Sequence, residues 1–112
     1  MKKILGIVIE GKKFGRKLGF PTVNIELKES LEGGVYAGFV ALEGMKYVAA
    51  IFIFPDKPLL EAHVLDFSGD LYGKNIEVEI GKKIRDSIKF NSEKDLVEQI
   101  KLDIQIIRNL HL

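Results

Sequence analysis

Gly11-Lys-Lys-Phe-Gly15-Arg-Lys-Leu-Gly19-Phe-Pro21-Thr-Val-Asn24 separates two short apolar runs and decides between the fold classes open to this chain. Gly11, Gly15 and Gly19 allow the backbone to turn with φ > 0 and let its N–H groups approach an anion closely. Lys12, Lys13, Arg16 and Lys17 put positive charge on the same loop. Pro21 stiffens the chain ahead of Thr22 and Asn24, whose side chains share one face of a strand because residues two apart do so. A hydroxyl and a carboxamide oxygen suit a hard cation such as Mg²⁺, which takes oxygen ligands and keeps nucleotide phosphates as co-ligands. The stretch therefore reads as a phosphate loop running into a magnesium-nucleotide site, with a basic hairpin turn as the plainer alternative. It contains no G-x-x-x-x-G-K-[ST] and no helical pattern follows it, so neither a P-loop nor a Rossmann fold is expected.

On both sides of this stretch the pattern is that of strands. Ile4–Ile9 is short and β-branched, and Thr22–Leu27 places Val23 and Ile25 opposite Thr22 and Asn24. Val35–Leu42 and Lys46–Phe54 flank Glu43-Gly44, a tight-hairpin signal. Leu59–Phe67 follows the breaker Pro55-Asp-Lys-Pro58, and Ile76-Glu-Val-Glu-Ile80 alternates apolar with acidic residues, as a strand with one wet face does. After Phe90-Asn91 the period changes. Ser92 with Asp95 resembles a capping box, and Leu96, Val97, Ile100, Ile104 and Ile107 form one apolar stripe at helical spacing. The expected fold is mainly β, a small six-stranded antiparallel Greek-key barrel with a C-terminal α-helix, occupying residues 1–112 as a single domain.

Composition narrows the function classes. The 112 residues are 46% hydrophobic and 29% charged, the balance of an ordinary globular protein. Seventeen Lys and Arg against sixteen Asp and Glu, no Trp and no basic-aromatic stripe argue against a nucleic-acid partner. With no cysteine there is no disulfide, thiol nucleophile or Cys-ligated zinc. The apolar run at Ile4–Ile9, broken by Gly6, is too short for a signal peptide or a membrane span, so a cytoplasmic protein without a membrane partner is expected.

A second constellation lies in Leu59-Leu-Glu61-Ala-His63-Val-Leu-Asp66-Phe-Ser-Gly-Asp70. Glu61 and His63 share a strand face, and a carboxylate among Leu59, Leu60 and Ala62 is out of place for a core strand. One reading is a solvated strand edge with both side chains in water. The other is a base or hydrogen-bond acceptor that orients a substrate hydroxyl. Asp66 and Asp70 read as turn formers.

Several motifs, taken together and in order, resemble those of riboflavin kinases, specifically the kinase module that bacteria often fuse to an FAD-synthesising domain. They are Gly15-Arg-Lys-Leu-Gly-Phe-Pro-Thr-Val-Asn24, Gly34-Val-Tyr-Ala37, Leu60-Glu-Ala-His-Val-Leu-Asp-Phe-Ser-Gly-Asp-Leu-Tyr-Gly73, and Ile84-Arg-Asp followed by Lys89-Phe-Asn-Ser92. The resemblance implies a six-stranded barrel with a terminal helix, and transfer of the γ-phosphoryl group of Mg-ATP to the 5′-hydroxyl of riboflavin, giving FMN and ADP. Carried over by position, Thr22 and Asn24 hold Mg²⁺ and phosphate oxygens. Gly11, Lys12, Gly15, Arg16, Lys17, Gly19 and Pro21 complete the nucleotide-binding loop. Glu61 orients or deprotonates the ribityl hydroxyl, and Arg85 and Phe90 lie on the flavin side. The expected protein is a monomer. It departs from the family pattern at Ala49–Pro58, where a segment like Ser-Ile-Gly-x-x-Pro-Thr-Phe is usual, and at Ser87 and Ile88, where Glu and Lys are usual. The altered Ala49–Pro58 segment keeps a non-catalytic flavin- or nucleotide-binding barrel as the alternative.

Overall fold

The computed structural model describes residues 1–9 and 22–110. Six strands precede one helix: β1 (Lys2–Ile7), β2 (Thr22–Glu26), β3 (Gly34–Leu42), β4 (Met45–Ile53), β5 (Leu59–Val64), β6 (Asn75–Arg85) and α1 (Glu93–Asn109). They form one antiparallel sheet in the order β1-β6-β3-β4-β5-β2. β3, β4 and β5 are a meander, and β6 returns to lie beside β3, which is the Greek-key arrangement. The sheet curls until its two outer strands approach. Beyond β1, Ile9 bridges to Asn24, its N–H donating to the Asn24 carbonyl at 2.8 Å.

Alternation along each strand explains the curl. Val23 and Ile25 of β2, Leu60, Ala62 and Val64 of β5 and Ile51 of β4 are all 0–1% exposed and fill the barrel interior. Small barrels pack their inside solid in this way, so the ligand chemistry of such a fold is left to its outer face and rims. The expected β3–β4 hairpin turns on Glu43 (φ 50°) and Gly44 (φ 80°), consecutive left-handed residues that match the twist of the flanking strands.

Most strand boundaries fall within a residue or two of expectation, β1 running over Lys2–Ile7 rather than Ile4–Ile9, and the ends of β5 and β6 differ by more. β5 stops at Val64 rather than Phe67, because the chain turns at Asp66 with φ 58°. β6 runs on to Arg85 rather than ending at Ile80. Its pairing with β3 slips between Val35 and Gly38, an irregularity that absorbs the extra residues and lets Gly81-Lys-Lys83 continue the strand without alternating.

The helix begins as the capping signal indicates, with Ser92 Oγ accepting from the Asp95 N–H at 3.1 Å. Ile100, Ile104 and Ile107 bury their side chains against Ala37 of β3, Ala50 of β4 and Leu65, on the outside of the barrel. Asp66 beyond β5 is tied to α1 by Arg108, at 3.1 and 3.2 Å.

Candidate active site

β2 and β5 pair antiparallel, so that Thr22 lies opposite His63 and Asn24 opposite Glu61. All four occupy the outer face, since Val23, Ile25, Leu60 and Ala62 between them point inward. Directly opposed residues on one face of such a pair have Cβ atoms about 5 Å apart. The polar groups that alternation assigned to each strand separately are thus brought into one patch.

This face is not solvated. Asn24 is 2% exposed, Glu61 9% and His63 0%, which overturns the wet-edge reading of Glu61 and His63. A buried carboxylate needs partners, and Glu61 has one in His63, whose Nε2 lies 2.8 Å from Oε1. Phe52 on β4, in register with Glu61, packs its ring against the imidazole with centroids 4.9 Å apart and planes tilted 36°. Asn24 is held on both sides of its backbone, by β5 on one and by the Ile9 bridge on the other. Among the described residues no group of three or more His, Cys, Asp or Glu side chains could hold a metal ion. A cation here would depend on Thr22 and Asn24 oxygens with most of its shell supplied from elsewhere, and that is the habit of Mg²⁺ bound with nucleotide phosphates.

The two residues expected on the flavin side sit at and beyond the end of β6. Arg85 is committed to α1: its Nε and Nη2 each donate to Asp103 at 2.8 Å, and its Nη1 donates to the Asp86 carbonyl at 3.0 Å. Phe90 is half-buried in the irregular segment between β6 and α1. Beside them, Lys83 bonds Asp86 at 2.6 Å and Glu32 at 3.1 Å. Those bonds hold the Lys83 ammonium above its ordinary pKa and the Asp86 carboxyl below its own. Tyr36 donates to the Glu32 carbonyl at 2.8 Å, and burial raises its phenol. Gly11, Lys12, Gly15, Arg16, Lys17, Gly19 and Pro21 lie outside the described residues.

Asp103 is the residue that sequence reasoning missed. It is 0% exposed, and besides Arg85 it accepts from Gln99 Nε2 at 3.1 Å. The signal was present, because Asp103 falls three residues after Ile100 and four before Ile107, inside the apolar stripe. An acid at that position must find a cation.

Comparison with known proteins agrees with the fold described above. The family model described as riboflavin kinase matches residues 2–111. The chain is 41% identical over 112 residues to the bifunctional riboflavin kinase/FMN adenylyltransferase of Haemophilus influenzae, an alignment covering 92% of this chain and 36% of that protein. It spans little more than a third of the length of such bifunctional relatives. The crystal structure of riboflavin kinase from Trypanosoma brucei superposes with a TM-score of 0.67 at 29% identity, covering 96% of this chain and 77% of that one. A crystal structure described as a macrolide-efflux protein from Streptococcus pneumoniae superposes with a TM-score of 0.83 at 32% identity, over 96% of this chain and 38% of that one.

Proposed function

The chain belongs to the riboflavin kinase family, and from that premise we propose that it transfers the γ-phosphoryl group of a magnesium-bound nucleoside triphosphate, ATP, to the 5′-hydroxyl of riboflavin. The products are FMN and ADP. The observation that carries this reading is the register of β2 on β5, which sets Asn24 across from Glu61 on a buried outer face beside Thr22.

Phosphoryl transfer asks the protein chiefly for positioning and charge neutralisation. Thr22 and Asn24 would hold the Mg²⁺, which when bound neutralises charge on the phosphates. The Ile9–Asn24 bridge supports this assignment, because it draws Ile9 and Asn24 together beside Glu61. The sequence between them carries the basic glycine stretch assigned to the phosphates. Glu61 accepts a hydrogen bond from the ribityl hydroxyl and takes its proton as the new O–P bond forms. The bond between the γ-phosphorus and the β–γ bridging oxygen breaks, leaving ADP. A carboxylate is a much weaker base than an alkoxide, so alignment is its larger contribution and the proton moves late. We assign Phe90 to the flavin side, with Arg85 acting by anchoring to α1 the segment that carries it. With riboflavin, FMN, ATP and ADP as its partners the enzyme works where ATP is, in the cytoplasm. One copy suffices, since every assigned group belongs to one chain.

The test is incubation with riboflavin and Mg²⁺ plus ATP, GTP, CTP or UTP in parallel, resolving FMN by chromatography. FMN should form with ATP, and Glu61→Gln should lower kcat by roughly 10²-fold or more, the scale of a positioned proton acceptor. No FMN from any donor, with riboflavin fluorescence still quenched by the protein, would replace the kinase by a flavin-binding barrel.

A further inference from the structure

We infer that His63 is a positioning residue for the phosphoryl transfer, acting through Glu61; the inference rests on the kinase reading given above.

Glu61 has two carboxylate oxygens and a side chain with three rotatable bonds. To align a hydroxyl it must keep one oxygen in one place, and freedom to rotate would undo that. Misplacement by about 1 Å is enough to cost on the order of 10²-fold in rate. Phe52 on β4 and Asn24 on β2, in register with Glu61, crowd its side chain, but packing contact alone does not set how the carboxylate turns about its last bond. His63 does supply it. It stands two residues further along the same strand, on the same face, with Nε2 2.8 Å from Oε1. A contact at that distance to a carboxylate requires the imidazole nitrogen to be the donor, so Nε2 carries a proton here. With Oε1 so engaged, Oε2 is the oxygen that the proposed transfer uses to meet the substrate hydroxyl.

The imidazole is itself held. It is 0% exposed, flanked in register by Thr22 on β2 and Ala50 on β4, and its ring rests on Phe52. A donor fixed by three strands makes a stiff support, and such outer partners orient the groups that touch the reactants. A histidine that only filled core volume would need no alignment of its Nε2 with the one carboxylate on that face of β5.

Three variants separate positioning from filling. His63→Leu keeps apolar bulk and removes the donor. His63→Gln returns an amide N–H near the position of Nε2, whereas the shorter amide of His63→Asn reaches only toward that of Nδ1. With riboflavin and Mg-ATP, His63→Leu should lower kcat by about tenfold or more while both KM values stay within about twofold, the pattern expected when ground-state binding is untouched. His63→Gln should recover most of kcat and His63→Asn should not. In a Glu61→Gln background, His63→Leu should cost nothing further, because a residue acting through Glu61 has no effect once Glu61 is disabled. Wild-type kcat in His63→Leu would overturn the inference. So would equal kcat in the Gln and Asn variants, or multiplicative loss in the double variant. If His63→Leu fails to fold, the Gln and Asn pair decides. FMN formation by the unaltered protein is the separate control: its absence refutes the kinase reading and this inference with it, whereas turnover insensitive to His63 refutes the inference alone.

Discussion

Replacing Asp103 by alanine should remove more stability than any surface charge in this protein. Its carboxylate is fully buried and accepts three hydrogen bonds, two of them from Arg85, whose side chain is only 16% exposed. The Asp103→Ala variant leaves a guanidinium with two donors unpaired in a part-buried place. Removing one partner of a buried ion pair costs about 3–5 kcal/mol, and Arg85 lies near enough to solvent to relax part-way, so about 3 kcal/mol is expected. Unfolding entropy near 2.1 cal/mol/K per residue makes that a fall in Tm of about 12 °C for a domain of this size. The assay is thermal and urea unfolding followed by circular dichroism, with Cm shifting at constant m. A partner experiment separates the pair from the charge: Arg85→Met with Asp103→Leu removes both ions and should recover most of the loss, since apolar replacement of a buried pair is often neutral. A Tm for Asp103→Ala within about 3 °C of the parent would refute the reasoning, because it would mean that the pair adds almost nothing to holding the end of β6 on α1.

Glycine at position 38 has no room for a side chain, since a Cβ would run into the Glu79 carbonyl oxygen and meet Ile51 Cδ1 at 2.6 Å. Gly38→Ala should therefore cost about 3 kcal/mol or more by urea unfolding, the upper range for overpacking, because backbone cannot step aside. Acid should destabilise the fold in a defined way. Asp66 is held below its ordinary carboxyl pKa by hydrogen bonds from Arg108, Glu79 by one from Lys46, and Asp86 by one from Lys83. Lowered folded-state values mean that the unfolded chain binds more protons, so this stability is fully present above about pH 5 and is lost as pH falls through the folded values. Tm measured from pH 6 down to pH 3 should decline, and Asp66→Asn should decline less steeply; a parallel decline would show that the Arg108 pair carries none of the effect.

How much of this was legible depends on whether a property is local. Alternation in Thr22-Val-Asn24 and in Glu61-Ala-His63 sufficed to put each pair on one strand face, because side-chain direction in a strand has a period of two. The same alternation could not say that Asn24 would stand opposite Glu61, since register between β2 and β5 is settled by strands distant in sequence. Nor could it say that the shared face would be buried. A glutamate flanked by inward-pointing leucine and alanine looks the same on a wet surface and under cover, and only the assembled sheet, with Phe52 laid against His63, distinguishes the two. The helix was read from its stripe and cap. Its buried acid was not, because periodicity records where apolar residues recur and passes over the one polar residue among them. Gly81-Lys-Lys83 was lost for a related reason: strand pairing there continues across an irregular register in which no apolar alternation survives.

The barrel's packing supports placing the proposed chemistry on the outer face. Val23, Ile25, Leu60 and Ala62 close the interior so completely that no polar group on β2 or β5 could work from inside. The outer face must then be covered to be useful, because a carboxylate in bulk water gains little from a neighbour. Asn24 meets both requirements through its backbone as much as its side chain. Pairing with β5 sets it against Glu61, and the bridge to Ile9 joins the sheet's outermost strand to the chain leaving β1. One residue thereby links barrel closure to the assembly of the proposed site. A substitution at Ile9 that loosens the bridge would reach Asn24 and, through strand register, the Glu61 carboxylate, without replacing any side chain proposed to meet the substrate.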